Sequence, residues 1–123
     1  MKPQQPSQRH GILVLNKPYG PTSSACIQKI KRQLKQPKIG HAGTLDPMAT
    51  GVLVVLLGQG TKLASYLSQG GKTYQGTLEL GKETDTYDIL GTVTRTAPWK
   101  QVNADLVHQE VMAWSTLDEQ IVP

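Results

Sequence analysis

The chain has 123 residues, 37% apolar and 18% charged, close to the usage of a globular domain, which excludes a disordered or fibrous protein and sets one domain as the ceiling. The formal charge of +4 is unevenly placed: residues 1 to 78 hold ten basic side chains and a single acid, Asp46, whereas residues 79 to 123 hold three basic and eight acidic ones. Cys26 is the only cysteine, so an internal disulfide and a cysteine-based zinc site are both excluded.

The start MKPQQPSQRH lacks the apolar centre of a signal peptide, and residues 1 to 9 read as a flexible polar tail ahead of a fold that begins near His10. Gly11 to Leu15 form a short apolar strand that runs into the turn Asn16-Lys17-Pro18-Tyr19-Gly20-Pro21. Thr22 or Ser23 caps a helix from Ser24 to about Gln36, where Cys26, Ile27, Ile30 and Leu34 recur at helical spacing and Pro37 sets the end. The polar face of this helix is cationic. Residues 38 to 50, rich in Gly, Thr and Pro, read as a loop.

Val52 to Leu57 supply a buried strand, too short to cross a bilayer, and Thr61 to Leu67 a second helix. The Gly70-Gly71 pair turns the chain into a strand over Thr73 to Leu80, with Ile89 to Thr96 as its antiparallel neighbour. Asn103 caps a third helix with Leu106, Val107, Val111 and Trp114 on one face. The end, Ile121-Val122-Pro123, is apolar and strand-like. This order predicts an α+β fold: a mixed, largely antiparallel sheet flanked by helices.

Phosphate and metal motifs fail one by one. Gly71-Lys72-Thr73 ends like a Walker A loop, yet Tyr66 stands where its first glycine belongs, and Gly58-Gln59-Gly60 has Leu63 in place of the third glycine of a dinucleotide fingerprint. Asp85 and Asp88 are followed by Ile89 and Leu90 where a calcium loop needs ligands, and His10, His41 and His108 have no zinc spacing. No metal site is expected. What remains is the loop from Gly40 to Gly51 around Asp46, in which Pro47 holds Asp46 in extended geometry. A fixed carboxylate amid cations suits a nucleophile or base acting on nucleic acid. A lone Asp-Pro step more commonly serves only as a turn cap. Likewise, the basic field suits a polyanion partner, and its plainer alternative is a solvated face.

Three stretches carry more information than spacing does. They are Leu15 to Ser23 (LNKPYGPTS), Gly40 to Leu53 with its core Gly43-Thr44-Leu45-Asp46-Pro47, and Lys72-Thr73-Tyr74 followed by Leu80 to Asp88 (LGKETDTYD). In these motifs, which span residues 11 to about 96, the chain resembles the bacterial tRNA pseudouridine synthases of the TruB type.

The resemblance implies the catalytic core of a pseudouridine synthase, acting on a T-loop uridine of tRNA as a cytoplasmic monomer, without cofactor, metal or membrane. In that reading Asp46 is the catalytic carboxylate, attacking C1′ of the ribose or C6 of the base. Tyr74 packs against the flipped uracil, His41 contacts the RNA near the vacated stack, and Lys17, Lys31 and Arg32 are further RNA-binding candidates, with Lys17 also supporting the Asp46 loop. For His41 the alternative is a loop histidine bonded to the backbone. Gly43, Thr44, Leu45, Pro47 and Asp85 serve as loop support.

The resemblance also implies an arginine, a leucine and a second tyrosine beyond Pro123, and an RNA-binding C-terminal domain. On that basis residues 10 to 123 are the N-terminal part of the catalytic domain and are inactive alone. The alternative reading is a truncated, catalytically inactive RNA-binding remnant.

Overall fold

The protein is described by a computed structural model over residues 8–121, so the first seven residues of the expected tail, and Val122 and Pro123 of the apolar end, lie outside the described residues. Arg9 is held in place: its N–H donates to Gln36 Oε1 at 3.0 Å, and its carbonyl accepts from Gln36 Nε2 at 2.8 Å. Gln36 is 1% exposed, and its remaining amide proton goes to the Lys38 carbonyl, so this buried amide leaves no donor unpaired.

Two units divide the chain between Thr73 and Tyr74. In the first, β1 (Gly11–Lys17) and β2 (Ile39–Ala42) flank β3 (Gly51–Leu57), and both pairings are antiparallel. Alternation along β3 sends Leu53, Val55 and Leu57 to one face, where they pack with Cys26, Ile27 and Ile30 of α1 (Ser23–Gln33). Each of these aliphatic side chains contributes roughly 1.5–3 kcal/mol when fully buried. On the other face the continuous apolar run is only partly covered, since Leu56 is fully buried while Val52 is 68% exposed.

The helix α1 begins where its capping chemistry places it. Thr22 is the N-cap, its Oγ1 accepting from the Ala25 N–H at 3.1 Å. It ends about three residues before the predicted Gln36, because the chain leaves it through Lys35 in the left-handed region, φ 49°. Bonds from Lys35 N–H to the Arg32 carbonyl and from Gln36 N–H to the Lys31 carbonyl make this a Schellman motif.

The predicted loop over residues 38 to 50 begins as a strand, β2. Gly40 and Ala42 have little strand preference of their own, and the free edge of β3 supplies the pairing. The predicted helix over Thr61 to Leu67 is divided into a 3-10 turn (Gly58–Leu63) and the short α2 (Ala64–Ser68).

In the second unit, β4 (Lys82–Thr84) pairs antiparallel with β5 (Val93–Thr96), and α3 (Ala104–Ser115) follows with Asn103 as its N-cap. The strand predicted over Thr73 to Leu80 is absent: residues 71–79 have no strand pairing, because good β preference makes no strand without a partner edge. Its predicted neighbour is shortened to β5, and residues 85–92 turn instead. Thr84 Oγ1 donates to the Asp88 carbonyl, and Asp88 Oδ1 accepts from Thr86 Oγ1 and the Leu90 N–H. Leu106, Val107, Val111 and Trp114 of α3 are all exposed. The fold class is α+β with antiparallel sheets. Among the described residues no helix is long and apolar enough to cross a membrane.

Candidate active site

Asp46 lies on the connection between β2 and β3, and its side chain is exposed. The backbone that carries it is fixed on both sides. Before it, the Leu45 N–H donates to Ser23 Oγ and the Ser23 hydroxyl donates to the Leu45 carbonyl, each at 2.9 Å. After it, the Pro47 carbonyl accepts from the Gly20 N–H at 2.8 Å and from Lys17 Nζ at 3.1 Å. The Asp46 carbonyl itself accepts from the Ala49 N–H at 3.0 Å, closing a tight turn.

Lys17 is the last residue of β1 and faces Gly51 across the sheet, where the loop rejoins β3. It is fully buried, and Nζ donates to the carbonyls of Pro18, Pro47 and Ala49 at 3.1, 3.1 and 2.8 Å. An ammonium has three donors, so none is left for a phosphate. This placement accords with loop support, and the RNA contact expected of Lys17 has no geometry here. A buried charge is tolerated only where hydrogen bonds replace its water, and three carbonyl dipoles do so.

Upstream, His41 sits on β2 opposite Val55, half-buried, with Nδ1 2.5 Å from the Gly43 carbonyl. A carbonyl only accepts, so Nδ1 is the donor and Nε2 is the remaining polar atom of the ring. Gly43 has φ +93°, a conformation that strains any L side chain, and the Lys72 side chain lies beside it. Lys72 Nζ donates to the carbonyls of Ser68 and Gly70. Thr44 is exposed, and the Leu45 side chain packs on the edge of the core. One loop thus brings together His41, Gly43, Thr44, Leu45, Asp46, Pro47 and the supporting Lys17.

Lys31 and Arg32 stand in the last turn of α1, where cations are favoured by the helix dipole, and Arg32 is exposed. Tyr74 and Asp85 belong to the second unit. The Tyr74 ring is 70% exposed on a stretch without strand pairing. Asp85 Oδ1 accepts from the Thr92 N–H at 2.7 Å, which closes the β4–β5 connection. A shallow depression of about 160 Å³ lined by Gly81, Glu83, Arg95 and Ala97 contains none of the expected site residues.

The sequence offers Ser23 only as a possible helix cap and as the end of a motif, not as a support of the Asp46 loop. The signal was present: at positions 23, 26, 27 and 30 the helical repeat puts this serine on the apolar face, where an unpartnered hydroxyl is costly. Lys72, beside Gly43, was likewise noticed only as part of a motif.

The family model described as TruB family pseudouridylate synthase (N terminal domain) matches residues 31–123, a span that contains Asp46. The chain belongs to the TruB pseudouridylate synthase family. TruB relatives named tRNA pseudouridine synthase B include that of Nitratidesulfovibrio vulgaris (strain Miyazaki F), 58% identical over 119 residues, which cover 96% of this chain and 38% of that protein. The one from Oleidesulfovibrio alaskensis is 59% identical over 118 residues (95% and 38%), and that of Dehalococcoides mccartyi (strain BAV1) is 43% identical over 113 (92% and 38%). The chain therefore spans about 38% of the length of these curated TruB relatives. A solved structure titled "Crystal Structure of a Cbf5-Nop10-Gar1 Complex" matches 46% of this chain and 17% of that one at 45% identity, with a TM-score of 0.44.

Proposed function

We propose that this chain supplies the N-terminal part of the catalytic domain of a tRNA pseudouridine synthase, with Asp46 as the catalytic nucleophile. Residues 10 to 123 contribute to that domain. One observation carries this reading: the only carboxylate of the first 78 residues is exposed on a loop whose backbone is pinned immediately before and after it. A reacting group fixed in this way meets its substrate without first ordering itself, which is where much of the rate gain from proximity arises.

The substrate is a T-loop uridine of tRNA. The reaction breaks the bond from N1 to C1′, turns the uracil and joins C5 to C1′; the proton lost from C5 is balanced by the one gained at N1, so no atoms are exchanged overall and no cofactor is required. The Asp46 carboxylate acts at C1′ of the ribose or C6 of the base. Tyr74 offers an exposed ring to the extruded base, as aromatic side chains do for unstacked RNA. His41 presents Nε2 to the RNA, and Lys31 and Arg32 meet phosphate. Lys17 acts through the loop and not on the RNA. The protein works as a cytoplasmic monomer.

The experiment uses a full-length polypeptide made by joining this chain to the C-terminal part of the Nitratidesulfovibrio vulgaris (Miyazaki F) relative. Release of tritium from tRNA labelled at C5 of uridine reports turnover. Asp46→Asn keeps the shape and removes the charge, and turnover should fall below detection. Turnover near the parental rate overturns the assignment.

A further inference from the structure

We infer that Ser23 is a positioning residue for the Asp46 carboxylate, an inference that rests on the reading of Asp46 as the nucleophile. Ser23 is 2% exposed and opens α1 on its core-facing side, in line with Cys26, Ile27 and Ile30. Capping does not explain it. The cap bond to the Ala25 N–H is made by Thr22, which leaves the Ser23 hydroxyl for other work. That hydroxyl both donates to and accepts from Leu45, at 2.9 Å in each direction, as a paired strand residue does.

The consequence is mechanical. With both backbone polar groups of Leu45 held by one buried side chain, and its own side chain packed on the core, the peptide that leads into Asp46 has little freedom to rotate. Lys17 fixes Pro47 and Ala49 on the far side of Asp46. The carboxylate thus hangs between two anchors that belong to different elements: the N-terminus of α1 and the end of β1. Without Ser23 the loop keeps its downstream anchor but loses this upstream one, so the carboxylate samples positions away from the reacting atoms. Misplacement on the scale of an ångström costs about 100-fold in rate.

The same full-length polypeptide tests this. Ser23→Ala should lower kcat about 10- to 100-fold with KM for tRNA within about twofold, because the RNA contacts are untouched. Hydrogen exchange in a peptide spanning residues 43–49 should quicken while that of β3 stays at the parental rate. Ser24→Ala, at the exposed neighbouring position, should change neither. Should Ser23→Ala be recovered misfolded, Ser23→Cys keeps the volume while weakening both bonds, and carries the same expectation. Parental kcat in the folded variant, or unchanged exchange in the 43–49 peptide, overturns the inference. Asp46→Asn, assayed alongside, separates the two ideas: if it turns over normally, the nucleophile assignment fails and this inference with it; if it is inactive while Ser23→Ala runs at the parental kcat, only the positioning role fails.

Discussion

Lys17 Nζ lies 3.1 Å from the carbonyl oxygen of Pro47, the residue directly after Asp46, although the two are thirty positions apart in the chain. Replacing Lys17 by Met keeps the stem and removes three donors from a fully buried site. Pro47 retains the Gly20 N–H, but the Ala49 carbonyl loses the shortest bond of the three. Leaving buried acceptors unsatisfied costs about 1–3 kcal/mol. Lys17→Met should therefore lower the stability of the chain by about 2–3 kcal/mol, read as a fall in the urea midpoint. Arg is not expected to rescue it, since a planar fork does not replace a compact ammonium aimed at three converging carbonyls. A Lys17→Met chain with the parental midpoint would show that these bonds contribute nothing net.

Tyr74 is expected to act on binding. Removing its exposed ring should weaken capture of the extruded base by roughly 1–3 kcal/mol, the worth of one base–aromatic stack. That corresponds to about a 5- to 150-fold rise in Kd, measured with T-loop RNA and the full-length polypeptide in the inactive Asp46→Asn background. An unchanged Kd for Tyr74→Ala would remove the stacking role.

Period and capping made part of this fold readable in advance. The spacing of Cys26, Ile27 and Ile30, the caps Thr22 and Asn103, and the apolar runs of β1 and β3 all state their structure locally. The strand β2 does not, because Gly40 and Ala42 are recruited by the edge of β3 rather than by any preference of their own. The converse error, a strand over Thr73 to Leu80, came from preference without a partner. At the candidate site, Asp46 was legible because it is the lone acid in a basic field and sits in a recognisable motif. Of its supports, Ser23 was not legible as one, and Lys17 was named only through the resemblance. A lysine in sequence reads as exposed, and nothing local to Asn16-Lys17-Pro18 says that its ammonium will be enclosed by three carbonyls.

Lys35 gives a stability prediction of the opposite sign. It occupies the left-handed position of the Schellman motif that ends α1, where an L side chain is strained and glycine is not. The gain on substitution is reduced by the greater freedom of glycine in the unfolded chain. Lys35→Gly should raise stability by about 0.5–1 kcal/mol, seen as a higher urea midpoint with an unchanged slope. A fall in the midpoint would mean that the lysine makes contacts worth more than its backbone strain.

The cations of α1 bear on how RNA is held. Lys31, Arg32 and Lys35 follow one another around the end of the helix, and the first 78 residues present them with one acid to offset ten bases. If they meet phosphate, each neutralised charge releases a counterion, and affinity for tRNA falls steeply with salt. Replacing all three by Gln should reduce the magnitude of the slope of log K against log salt by about 2, at roughly 0.7–0.9 per contact, and should leave the choice of uridine unchanged, because phosphate contacts carry no sequence information. The measurement is a salt titration of tRNA binding by the full-length polypeptide, run beside a map of the modified positions. The competing account is that Lys31 and Arg32 serve the helix alone, since cations in a last turn already stabilise it by about 0.3–1 kcal/mol. The two accounts separate cleanly: a dipole role predicts a lower unfolding midpoint with the parental salt slope, and a phosphate role predicts a flatter slope whatever happens to the midpoint.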